Sequence, residues 1–81
     1  MTYYEDVINA MPLRQEITTT EIALLTLKLR GEEYHSWTWI DTLTRVREAL
    51  VKGTKNGTVT KVGMIQDPTT NRWVMTWIRE G

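Results

Sequence analysis

The stretch from Ser36 to Arg79, SWTWIDTLTRVREALVKGTKNGTVTKVGMIQDPTTNRWVMTWIR, decides how this chain is read. Ser36 is a favourable helix N-cap, and beyond it Trp39, Leu43, Val46 and Leu50 recur along one helical side, flanked by Ile40 and Val51. At about 100° per residue the opposite side carries Trp37, Thr38, Asp41, Arg45, Glu48 and Lys52. A helix over 37–52, closed by Gly53, is expected. Thr54-Lys55-Asn56-Gly57 then reads as a turn. Thr58 to Ile65 and Arg72 to Arg79 are rich in Val, Ile, Thr and Trp, the residues that suit a pleated, half-buried surface. Asp67-Pro68-Thr69-Thr70-Asn71 between them is turn chemistry, so a β-hairpin is expected. On its second strand Trp73, Met75 and Trp77 share one face, and Val74, Thr76 and Ile78 the other.

Upstream, Thr2-Tyr3-Tyr4-Glu5 has capping-box spacing, and Tyr4, Val7, Ile8 and Met11 fall on one helix face. Pro12 cannot continue the ladder and disfavours helical geometry at Met11, which stops this first helix. Thr18-Thr19-Thr20-Glu21 repeats the capping spacing and opens a second helix. Its inner stripe is expected at Ile22, Leu25 and Leu29, broadened by Leu24 and Leu27, with Gly31 as a left-handed stop. Ile17 is placed to begin a short strand. There is no internal repeat and no low-complexity segment.

Three quoted segments carry a resemblance. Ile17-Thr18-Thr19-Thr20-Glu21-Ile22-Ala23 looks like a short strand entering a second helix. Leu43-Thr44-Arg45-Val46-Arg47-Glu48-Ala49-Leu50-Val51-Lys52-Gly53 looks like the end of a recognition helix. Gly57-Thr58-Val59-Thr60-Lys61-Val62-Gly63 looks like the strand after it. Together, and over most of its length, the chain resembles winged helix-turn-helix DNA-binding domains of prokaryotic or phage type. The resemblance implies an α+β fold, with residues 1–81 as a single winged-helix-like domain of three helices, a C-terminal hairpin and a short strand near Ile17. It implies a cytoplasmic transcriptional regulator that acts on double-stranded DNA. Helix 37–52 would enter the major groove, with Thr38, Asp41, Thr42 and Arg45 toward the base edges and Trp37 as an exposed contact residue at its start. Lys52 and Lys55 would add phosphate attraction, and Thr69, Thr70, Asn71 and Arg72 would brace the wing on the backbone. A homodimer or a protein partner is expected, because one small module contacts one short half-site. The sequence departs from the pattern at Gly31-Glu32-Glu33-Tyr34-His35, longer and more acidic than the family's tight turn, and at Asp41 and Glu48 on the presumed reading face.

Composition sets limits on function. Among 81 residues there is no Cys, so neither disulfide nor thiolate metal site is available. No apolar run approaches the roughly 20 residues that span a bilayer, and the acidic start of the chain lacks a signal-peptide core, so a soluble cytoplasmic protein is expected. Net charge is zero, yet residues 1–35 hold three basic and six acidic side chains while residues 36–81 hold seven basic and four acidic. Folding can turn that asymmetry into one acidic and one basic face. His35 has no Cys partner, Glu32 and Glu33 have no nearby nucleophile, and no Gly-Lys-Ser/Thr follows the glycines. Neither an enzyme, a metal site, a cofactor nor a small-molecule substrate is expected. The competing reading is a protein-interaction module, a phage-encoded inhibitor or adaptor, suggested by the zero net charge, by Trp37 and by the acids on the helix face.

Overall fold

The computed structural model describes residues 2–68 and 70–81. Three helices and a three-stranded antiparallel sheet follow in the order α1 (Tyr3–Ala10), β1 (Ile17–Thr18), α2 (Thr19–Arg30), α3 (Trp39–Lys55), β2 (Val59–Gln66) and β3 (Trp73–Arg79). The strand order is β1-β3-β2, so the last strand is central. No helix among the described residues is long and apolar enough to cross a membrane.

Local chemistry explains most of the boundaries. Thr2 and Glu5 form the complete capping box that opens α1, and Met11 before Pro12 takes an extended conformation that ends it. Thr18 accepts from the Glu21 N–H to open α2. Gly31, at φ +69°, closes α2, donating to Lys28 while the Glu32 N–H reaches back to Leu27.

Three sequence expectations are corrected. First, α3 begins at Trp39, not Trp37, and Ser36 is not its cap. The Thr38 N–H and hydroxyl both reach the His35 carbonyl, closing a turn over Ser36 and Trp37 before the helix starts. Second, Gly53 does not end α3, which runs on to Lys55. A Cβ at Gly53 would lie 2.8 Å from Val59 Cγ2 and 3.2 Å from its Cβ. The glycine serves the close approach of helix to strand rather than helix termination. Third, the buried stripe of α2 is Thr19, Ile22, Ala23, Thr26 and Leu27, while Leu24 and Leu29 face outward. Thr26 tolerates full burial because its hydroxyl donates to the Ile22 carbonyl at 2.8 Å.

The core gathers Val7, Ile8 and Met11 of α1, Ile22 and Ala23 of α2, Val46, Ala49 and Leu50 of α3, and Ile17, Val59 and Trp77 of the sheet. Trp77 is 3% exposed, and its indole N–H donates to the Thr19 hydroxyl at 2.8 Å. Thr19 in turn donates to the Met75 carbonyl at 3.3 Å. Arg79 closes the far corner, with Nη1 3.1 Å from the Ile8 carbonyl at the end of α1, where a cation also suits the helix dipole.

A bulge shapes the hairpin. Lys61 pairs with Trp77 and Gly63 with Thr76, so Val62 is the extra residue. Beyond it the strand changes phase: Met64, opposite Met75, joins the α3-facing side, and Ile65, opposite Val74, turns to the outer side.

Two outcomes test this packing. Gly53→Ala would stabilise an ordinary helix interior; here the methyl meets a stiff β-branched neighbour, and urea unfolding should show a loss of about 1–3 kcal/mol. Adding Val59→Ala should cost less than the sum of the two single changes, and a stabilised Gly53→Ala would refute the close approach. Thr19→Val keeps shape but strands the Trp77 N–H, which should lower the urea midpoint by an amount worth about 1–3 kcal/mol at unchanged slope.

Candidate nucleic-acid interface

The outward side of α3 separates two surfaces of different chemistry. On the α1 side, Thr38, Asp41, Thr42 and Arg45 line a groove of about 490 Å³ with Tyr3, Leu27, Glu32, Glu33 and His35. The structure thus brings four of the expected DNA-contacting residues together, but beside two further carboxylates, Glu32 and Glu33. Arg45 lies flat against α1, its guanidinium carbon 4.1 Å from the Tyr3 ring centroid. Arg30 approaches the same ring at 4.8 Å, held by Asp6 at 2.6 Å and Glu32 at 2.9 Å. Burial pushes the Tyr3 hydroxyl above its ordinary pKa, and the Arg45 and Arg30 charges act in the opposite sense. Lys52 lies 4.6 Å over the Tyr4 ring. All three cations lie over aromatic rings, an arrangement favourable for the quadrupole of the ring.

On the hairpin side the lining changes. One concavity of about 440 Å³ is bounded by residues of α2, α3 and the hairpin, among them Trp39, Leu43, Arg47, Met64, Arg72 and Trp73. A second, of about 350 Å³, is lined by Arg47, Val51, Thr54, Lys61, Met75 and Trp77. Arg47 borders both, and among the described residues no carboxylate lines either. Two elements position these cations: α3 carries Arg47 on its exposed flank, and the hairpin carries Lys61 before the bulge and Arg72 beside the turn.

The remaining expected residues scatter. Lys55 ends α3 and is exposed. Thr70, Asn71 and Arg72 are exposed at the hairpin turn, where Asn71 takes φ +60° and its N–H donates to the Asp67 carbonyl at 2.8 Å. Thr69 lies outside the described residues. Trp37 precedes α3, 77% exposed, its ring stacked on His35 with centroids 4.5 Å apart. In the sequence Arg47 sits beside the apolar stripe of the helix, and Lys61 carries no local signal. Only the register of the hairpin against α3 sets these two on one cleft with Arg72. Trp73, the first residue of β3, is 65% exposed although Met75 and Trp77 on the same face of the strand are not.

Among the described residues, no group of three or more His, Cys, Asp or Glu side chains is arranged to hold a metal ion. Compared with known proteins, the chain matches no family model, no curated protein and no solved structure.

The stacking of Arg45 on Tyr3 has a titration signature. Removing the cation removes an influence that lowers the Tyr3 pKa, so in Arg45→Ala the Tyr3 ring signals followed by NMR should titrate at higher pH than in the unaltered chain. An unchanged titration would show that the guanidinium does not reside on that ring.

Proposed function

We propose that this chain is a DNA-binding domain of winged-helix type that grips one sugar-phosphate strand between α3 and the hairpin. The carrying observation is the carboxylate-free pair of concavities bordered by Arg47, Lys61 and Arg72. A duplex backbone is a line of regularly spaced negative charges, and cations on both sides of a cleft complement it without reading sequence. The element order supports the reading too, because a short strand before the second helix and a hairpin after the third are what the winged-helix resemblance implies. In this arrangement the exposed ridge of α3, with Ile40, Asp41, Thr44 and Glu48, turns toward the groove. Ile40 suits a thymine methyl, and a carboxylate suits a cytosine amino group. Thr70 adds a neutral phosphate donor near Arg72. Arg45 and Lys52, seated on the tyrosines, contribute charge at longer range. The role that follows is that of a small regulator working on duplex DNA, as a dimer or with a protein partner.

A second reading has its own observation. Trp37, Ile40 at 75% and Trp73 are large apolar side chains exposed to solvent on or near α3 and the hairpin, and contiguous exposed apolar surface marks protein interfaces. On that reading the scaffold is an adaptor or inhibitor.

Binding to a random-sequence duplex across a salt series separates the two. The DNA reading expects salt-steep binding, with Arg47→Ala and Arg72→Ala each weakening it about uniformly across sequences and each reducing the salt slope by about 1. Arg45→Ala should have the smaller effect. Absence of binding at low salt would remove the DNA reading and leave the interaction module.

A further inference from the structure

The cleft between α3 and the hairpin holds a group that an intact duplex does not use. Trp73 stands 65% exposed at the first residue of β3 and borders the same concavity as Arg47 and Arg72. On its side of the hairpin, Met64 and Met75 are directly paired and line that concavity, giving it an apolar floor. In B-form DNA the bases are stacked on one another, so a protein meets only their edges and the backbone. An indole face that shares one concavity with two guanidinium groups complements a base that has left the stack together with its flanking phosphates. Stacking platforms flanked by cations are how proteins hold single strands. A purely proteinaceous occupant is matched less well, because an apolar partner would have to bury the two guanidinium groups without a carboxylate from this chain to pair them.

Building on the DNA-binding reading, we infer that the α3–hairpin cleft takes an unpaired stretch of DNA, one base stacked on Trp73 and its flanking phosphates on Arg47 and Arg72. The preferred substrate is then a duplex with an adjoining single strand, such as a tail, fork or melted site. The ring of Trp73 supplies affinity that every base can use, since each has a π face. The preference is therefore for structure rather than sequence.

Fluorescence anisotropy with the whole chain tests this on three labelled probes: a blunt duplex, the same duplex with an unpaired tail, and the corresponding single strand. The tailed probe should bind about tenfold more tightly than the blunt one, the scale of one stacked base, and should quench tryptophan emission. Trp73→Ala should lose the advantage of the tail yet bind the blunt duplex as the unaltered chain does, and Trp73→Phe should keep most of the advantage. Far-UV circular dichroism and urea unfolding check that both variants fold. Blunt and tailed probes bound equally would overturn this inference and leave the DNA-binding reading standing. So would a Trp73→Ala variant that weakens all three probes alike. No binding to any probe would overturn both and favour a protein partner.

Discussion

Trp77 has a single polar atom, and its ring is enclosed on the central strand of the sheet, so the indole N–H must find an acceptor inside the protein. The acceptor is Thr19, at the first turn of α2. Much of the fold follows from that bond. It fixes the start of α2 over the middle of β3, next to the point where Ile17 pairs with Trp77 and Thr18 with Thr76. Thr18 then caps the helix, and Thr19 passes its own proton to the Met75 carbonyl. Two successive threonines thus divide two tasks: Thr18 combines strand pairing with capping, and Thr19 ties the helix to the sheet. At the other end of β3, Arg79 donates to the carbonyls of Ile8 and Met11 where α1 ends. The last strand is consequently the element on which the helices converge, although it is made last along the chain.

A second constraint sets the shape of the candidate interface. Gly53 lets α3 lie against Val59, so the helix and the first hairpin strand meet with almost no spacing at one end. Between the same helix and the hairpin lie the concavities that Arg47, Lys61 and Arg72 border. The bulge at Val62 adjusts what faces it, because the change of phase brings Met64 round and sends Ile65 out. Charge is partitioned by the same geometry. The acidic segment after α2 folds back beside α1, where Glu32 and Asp6 hold Arg30, and where Arg45 turns to a tyrosine ring. On the hairpin side Arg47, Lys61 and Arg72 face outward. A chain with no net charge can thereby offer a surface suited to a polyanion.

Residues whose signals act over three or four positions were legible in advance. The capping threonines, Pro12, Gly31 and the turn formers around Pro68 act through backbone geometry within their own neighbourhood, and the strand-rich composition after Gly57 does likewise. Failures occurred where a local signal had two meanings. Gly53 after an apolar stripe resembles a helix stop, yet a glycine is equally required where another backbone element presses close. Ser36 resembles a cap, yet the Thr38 hydroxyl and N–H take the His35 carbonyl and delay the helix. On α2 Leu24 and Leu29 are the more apolar side chains, yet they face outward while Thr19 and Thr26 are buried, each with an internal hydrogen-bond partner.

The amino-acid sequence by itself determined the α+β class, the succession of elements, the hairpin and the separation of acidic from basic halves, since each depends on spacing or composition along the chain. Which cations share a surface was decided only by tertiary structure. Arg45 and Arg47 are two positions apart on one helix, which points them about 200° apart around its axis. One meets Tyr3 and the other the hairpin, because helix packing and strand register, not sequence distance, choose the neighbours of each side chain.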